Sequence, residues 1–194
     1  MSAKESWSAL TAAEFVAALG EENHAALERL ADLSRAGETP ETLTVPRLLR
    51  VALKNEFEAS ELAAIWMAST TELDIKLALA RQVGDEARHY RLIAERLTSL
   101  GIDVKGIDPR EGGYSPLFEY LVSLEGAVAR VAAGQFTREG IALVRNQCFI
   151  EFCESAGDQE TASLYRDIIQ PDERHHHEAG REEERQANHG RILF

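Results

Sequence analysis

Two cysteines in 194 residues, five prolines, 7% aromatics and a shortage of basic residues remove several fold and function classes before any motif is considered. Cys148 and Cys153 are five positions apart, which on a helix puts them on different faces, too poorly aligned to bridge. A disulfide scaffold is excluded, and a reduced, cytoplasmic setting is the expectation. No run of 18 apolar residues is present, and the opening MSAKESWSALTAAEF has neither a long apolar core nor a small-residue cleavage site, so neither a membrane span nor secretion is expected. With 21 Lys+Arg against 33 Asp+Glu the chain carries a formal charge of −12, which repels a phosphate backbone and disfavours nucleic acid as a partner. Glycine-rich phosphate loops, GxSxG and paired CxxC motifs are missing too, the last excluding a rubredoxin-type iron site.

What remains is helical. No stretch alternates with strand period, and a chain of this length can bury enough surface for one core without cross-links. Thr11 and Glu14 have the spacing of a capping box, opening a short helix that Gly20 can close; a second runs from about Glu22 to Arg35 and stops at Gly37 and Pro40. These form an N-terminal appendage over 1–43. Thr44 and Pro46 start a first core helix that reaches about Ser69, and Thr70 or Thr71 caps a second that runs to Leu100 and stops at Gly101. The segment GIDVKGIDPREGGYS, 101–115, is the one long crossover. A third helical region starts at Pro116, weakens over Gly134 to Gly140 and continues to Ala156; a fourth runs from about Asp158 past His177 with Pro171 inside it. The body, 44–180, is thus expected to be an all-α four-helix bundle with one crossover, followed by a charged tail over 181–194.

Acids interrupt each apolar stripe. Stepping three or four residues along the first core helix gives Leu49, Ala52, Leu53, Glu56, Ala59, Ala63 and Trp66, whereas Glu58 and Glu61 fall on a stripe with Lys54 and Asn55 that reads as solvent-facing. The second gives Leu79, Val83, Glu86, His89, Ile93 and Leu97; the third places Glu139 among Phe136, Leu143 and Ile150; in the fourth, Tyr165, Ile168 and Ile169 lead to Asp172 and His175. Acid-x-x-His puts both side chains on one face, aimed at one point. Glu56 and Glu86 are 30 residues apart and Glu139 and Asp172 are 33, which suits a helical hairpin that returns the second group to the height of the first.

Four acids and two imidazoles converging inside a bundle would each cost several kcal/mol if unpaired. Divalent metal removes that cost: four carboxylates balance two ions, and a mixed oxygen and nitrogen set suits iron or manganese better than structural zinc. The expected ligands are Glu56, Glu86, His89, Glu139, Asp172 and His175. A neighbouring register, Glu173 with His176, supplies the same chemistry but puts Gln170 and Asp172 where apolar residues belong, so Asp172 and His175 are preferred. Pro171 can kink or bulge the turn on which the choice depends. Of the other candidates, Tyr90, Tyr165, Trp66 and the two cysteines read as core packing, and the run His175 to His177 as a solvated face with one useful member.

Glu56, DEARH (85–89), Glu139 and ETASLYRDIIQPDERH (160–175) resemble the ferritin-like superfamily of di-iron carboxylate proteins, with rubrerythrin-like proteins and the ferritin-like tRNA hydroxylases as the nearest-looking branches. The resemblance covers about 44–180, and the fourth-helix acid departs from it, Asp standing where Glu is usual. It implies a pair of iron ions, or manganese or a mixed pair, and an oxidoreductase that activates O₂ or peroxide. A hydroxylase or oxygenase of a small organic substrate, served by an unidentified electron donor, is the leading expectation. A rubrerythrin-like peroxidase and an iron-storing ferroxidase are the alternatives. The appendage and the irregular crossover favour a discrete homodimer over a storage shell.

Overall fold

The structure, a computed structural model, describes residues 11–36 and 43–191, with side chains described as far as Gly180. The expected stop at Gly37 and Pro40 lies outside the described residues. Everything with regular structure among them is helical: α1 (Ala12–Ala36), α2 (Val45–Ser69), α3 (Leu73–Ser99), α4 (Pro116–Val122), α5 (Ala127–Val131), α6 (Glu139–Ser155), α7 (Gln159–Leu164) and α8 (Gln170–Arg191). No described helix is long and apolar enough to cross a membrane.

Local chemistry sets most of the boundaries. Thr11 and Glu14 form the reciprocal capping box: Thr11 N–H donates to Glu14 Oε2 at 2.8 Å, and Glu14 N–H to Thr11 Oγ1 at 3.3 Å. Gly20 does not end that helix, which is one 25-residue element rather than two. A lone glycine weakens a helix by roughly 1 kcal/mol and cannot stop one whose other face is packed; α1 lies on α6 and α8, with Asn23 Nδ2 donating to Thr137 Oγ1 at 3.0 Å. Thr44 caps α2 ahead of Pro46. The expected threonine cap of α3 is absent: Glu72 is the N-cap residue, and Thr70 Oγ1 instead donates to Trp66 O at 2.8 Å, closing α2.

The third and fourth regions depart most from regular periodicity. Gly126, at φ +81°, breaks the third between α4 and α5, and residues Ala132–Arg138 then form a π-helical stretch that leads into α6. The fourth contains a second wide turn, Tyr165–Ile169, between α7 and α8. Its cause is visible two residues on. A proline ring inside an α-helix collides with the carbonyl four residues back and offers no N–H, so the turn before Pro171 opens until Gln170 N–H reaches Tyr165 O. Each wide turn accommodates one extra residue and rotates everything beyond it by about 100° relative to an unbroken helix.

Two apolar clusters are stacked along the helices. One gathers Leu49, Leu53, Ile93, Leu97, Ile150, Tyr165 and Ile169; the other Leu62, Trp66, Ile75, Leu79, Phe118 and Val131. Between them on α2 lies Glu56, on α3 Gln82 to His89, on α6 Glu139. The crossover is fastened onto α2 by residues the sequence placed in solvent: Glu58 is buried, its Oε1 accepting from Ser115 N–H at 2.8 Å and its Oε2 from Ser115 Oγ at 2.5 Å, and Glu61 accepts from the Tyr114 hydroxyl. Near the end of α3 Arg96 donates to Asp158 at 2.7 Å and Thr161 at 2.8 Å, tying that helix to the start of α7.

α8 crosses the first wide turn so closely that a Cβ on Gly180 would stand 2.9 Å from the backbone of Gln135 and Phe136. Gly180→Ala is therefore expected to destabilise the protein by about 1–3 kcal/mol, read as a lower thermal midpoint. Gly20→Ala, with nothing within 4 Å of the new methyl, should raise the midpoint slightly. Equal effects from the two substitutions would refute the close crossing.

Candidate metal centre

Four helical segments deliver six buried ligand-type side chains to one level. Glu56 comes from α2, Glu86 and His89 from α3, Glu139 from the start of α6, and Glu173 and His176 from α8; all six are buried. They form two overlapping groups. In one, Glu56, Glu86, His89 and Glu173 each offer a ligand atom within 4.8 Å of the others; in the second, Glu86, Glu139, Glu173 and His176 do the same. Glu86 and Glu173 belong to both.

The structure brings Glu56, Glu86, His89 and Glu139 together as anticipated, and it does not bring Asp172 and His175 to them. The wide turn before Pro171 is the reason: with one residue accommodated there, the inward face of the fourth region runs Tyr165, Ile169, Glu173, His176. Gln170, the residue that had argued against this register, is buried and held by one hydrogen bond, its Nε2 donating to Leu143 O at 3.0 Å, while its Oε1 has no partner. His175 is exposed against Arg81, whose Nη1 donates to it at 2.7 Å, and His177 donates through Nδ1 to Phe136 O at 2.7 Å while stacking on that ring.

Asp172 has a different place. Its Oδ2 lies 3.1 Å from His89 Nε2 and 3.3 Å from Arg88 Nη2. Asp85 stands in the same relation to the other imidazole, its Oδ2 3.1 Å from His176 Nε2 and 3.2 Å from Arg81 Nε. The sequences are parallel, Asp85-Glu86-x-x-His89 and Asp172-Glu173-x-x-His176, and each aspartate reaches across to the histidine of the other helix. Since a carboxylate accepts, each imidazole donates through Nε2 and turns Nδ1 toward the acids. For His89 these lie at 3.3 Å (Glu86), 3.6 Å (Glu56) and 3.9 Å (Glu173); for His176 at 3.6 Å (Glu173) and 3.7 Å (Glu86).

Several of these atoms have no partner. Glu139 Oε2, Glu173 Oε2 and His176 Nδ1 are buried without a hydrogen bond, an arrangement that costs roughly 1–3 kcal/mol per neutral group and more for a charged one. With Nε2 against Asp85, His176 turns its unpartnered Nδ1 toward Glu86 and Glu173, 3.7 and 3.6 Å away, an arrangement in which a cation could be shared by all three. The groups could hold a metal ion, and the donor set is hard oxygen plus imidazole. Two further residues support Glu139: Gln82 Nε2 donates to its Oε1 at 2.7 Å and Arg138 Nη1 at 2.6 Å. Neither was marked by the sequence, since Gln82 falls beside the Leu79, Val83, Glu86 stripe and not on it, and Arg138 sits inside the wide turn.

Protons offset part of the buried negative charge. Burial pushes Glu56 up to about 8, helped by the neighbouring Glu86 charge, and pushes Glu173 well above the carboxylate range, with Glu86, Glu139 and Glu56 adding to it. Burial would lift Glu86 too, but hydrogen bonds from His89 and Glu56 and the charge of Arg138 outweigh it and hold Glu86 at about 2. Burial would depress His89; Glu56 and Glu86 overcome it and raise the imidazole to about 11.

A comparison with protein-family models, with curated proteins and with solved structures gives no match to this chain. The centre therefore stands on its geometry.

Those shifts fix a sign. Glu56, Glu173 and His89 all bind protons more tightly in the fold than in the unfolded chain, so their contributions are greatest at low pH and decline as pH rises through the folded values. The metal-free protein should therefore lose thermal stability from pH 5 to 9, through the Glu56 step near 8. A metal that needs deprotonated ligands should bind more tightly over the same range and release protons as it binds. Melting curves across pH with chelator, and proton release measured by calorimetry in buffers of different ionisation enthalpy, check both; a metal-free midpoint that rises with pH over this interval contradicts the cluster.

Proposed function

We propose that the chain is a dinuclear metal oxidoreductase, its two ions held by Glu56, Glu86, His89, Glu139, Glu173 and His176 in a ferritin-like four-helix arrangement. The observation that carries this is the pair of overlapping buried groups sharing Glu86 and Glu173. Two carboxylates common to both groups are what two adjacent cations require, and four acids balance two divalent charges where a single ion would leave two uncompensated. When bound, an iron or manganese pair supplies the redox chemistry through which O₂ or peroxide is reduced while a substrate is oxidised.

The chain's own residues supply the rest. Glu86 and Glu173 hold the two positions together; Glu56 with His89 and Glu139 with His176 complete one each. Asp85 and Asp172 fix the imidazoles in the orientation and tautomer that point Nδ1 inward, each from the opposite helix, so both rings are held before any metal arrives. Arg138 pairs with Glu139 beside the second position, and the apolar clusters above and below keep bulk water away from the layer. A small organic substrate, rather than iron as cargo, is favoured by a cavity of about 140 Å³ that ends on Glu56 and Glu173 and is lined elsewhere mainly by apolar, amide and guanidinium groups, its third acid, Glu58, being held by Ser115.

Protein purified after growth with defined iron and manganese should hold close to two metals per chain by elemental analysis. His176→Ala should fall to one or fewer, and His175→Ala should keep two. Fully folded protein that holds one zinc or none, or loss of metal from His175→Ala alone, removes this reading. Loaded and reduced, the protein should consume O₂ or peroxide, and Glu139→Leu should not.

A further inference from the structure

The cavity that ends on the metal centre has its own chemistry. Its walls are α2 and α6, and the residues after the crossover roof it. Arg138, the last residue of the first wide turn, and Ile141, Ala142, Arg145 and Asn146 on α6 recur at helical spacing, so one face of that helix is turned to the space. Leu62, Phe118 and Leu121 supply apolar surface. A space of this size, about 140 Å³, is comparable to a cavity of about 150 Å³ that accommodates a single benzene ring.

The charges lining it are not equivalent. Glu58 spends both oxygens on Ser115, and Arg138 is paired with Glu139. Glu56 and Glu173 belong to the metal centre. Arg145 differs from all of these: among the described residues no hydrogen bond or ion pair reaches its guanidinium, and the side-chain amides of Asn55 and Asn146 are equally without partners. Asn55 and Arg145 are exposed and Asn146 is half-buried, so the free polar groups stand at the mouth, while the metal centre closes the inner end. Arg145 is seven residues along the helix from Arg138, about 10 Å at 1.5 Å per residue, a span that one small molecule covers.

We propose that this cavity binds a small organic carboxylate of about one ring in size, its carboxylate held at the mouth by Arg145 with Asn55 and Asn146, and its apolar body directed at Glu56 and Glu173. A guanidinium presents parallel N–H donors to a carboxylate, and the amides add neutral donors to the same anion. The apolar walls select a hydrocarbon body over a sugar or a second charge. Placed this way the molecule turns its C–H end, not its acid, toward the metal centre. As a statement about substrate, the proposal rests on the dinuclear reading; as a statement about binding, it does not.

Calorimetric titration with benzoate, and with hexanoate as a ring-free acid of similar size, tests it on the metal-loaded protein and again after chelation. One acid per chain should bind, and benzamide, which keeps the ring and loses the charge, should bind at least about tenfold more weakly. Arg145→Leu should weaken benzoate about tenfold or more, Arg145→Lys should recover part of the loss, and Ala142→Trp, which fills the space, should abolish binding with metal content unchanged. Arg145 is on the surface, so its variants should fold as the parent does. Failure of both acids to bind, equal affinity for benzamide, or benzoate affinity untouched by Arg145→Leu overturns the proposal; binding that disappears with the metal and ignores Arg145 is ligation to the ions and overturns it too. If the protein holds no metal yet binds benzoate through Arg145, the carboxylate site stands and the dinuclear reading falls, while two bound metals with no acid affinity give the converse.

Discussion

Buried charge that must be neutralised is the constraint on which this molecule turns. Four carboxylates share one level of a helical protein between two apolar clusters, and the chain's own groups leave Glu139 Oε2 and Glu173 Oε2 without a partner. Arg138 and His89 offset part of the charge. The protons raised onto Glu56 and Glu173 offset more, and three buried ligand atoms still lack partners. The helices are held at this spacing by packing that has nothing to do with the acids, so the acids cannot relax away.

Around that layer the structure is economical with polar contacts. The two aspartates that precede Glu86 and Glu173 do not bind at the centre; each secures the histidine on the facing helix, and each is in turn held by an arginine. The result is a crossed pair of carboxylate–imidazole contacts, in which the orientation of one ring depends on the placement of the other helix. Glu58 and Glu61 perform a comparable service outside the centre, securing the end of the crossover so that Phe118 and Leu121 roof the cavity.

Much of this was legible in the residues, and the remainder was hidden for identifiable reasons. The apolar stripes of α2 and α3 keep one helical period along the whole of each helix, so Glu56, Glu86 and His89, which interrupt them, stood out as polar groups on core faces, and they are buried there. The fourth region was read with the same period, and that period fails where Pro171 forces a wider turn; one residue of slip moves Asp172 and His175 out and Glu173 and His176 in. A signal for the correct register was present: the pentad Asp-Glu-x-x-His occurs twice, at 85–89 and 172–176, and matching the second copy to the first selects Glu173. The burial of Glu58 could not have been found, because its partner, Ser115, lies 57 residues away at the end of an irregular segment. Gly20 misled for the opposite reason, a local breaker overruled by packing of the whole helix.

The division of the ligands between the two halves of the chain has a consequence for assembly. Residues before the crossover contribute Glu56, Glu86 and His89; residues after it contribute Glu139, Glu173 and His176. Neither hairpin holds a complete position, since the shared carboxylates come one from each side and each imidazole is oriented from the other half. Ions held there would owe their affinity to the docking of the two halves and not to either alone, and would act as a clasp: a chain severed between Gly101 and Ser115 would have its two pieces drawn together by the same cations that complete the site.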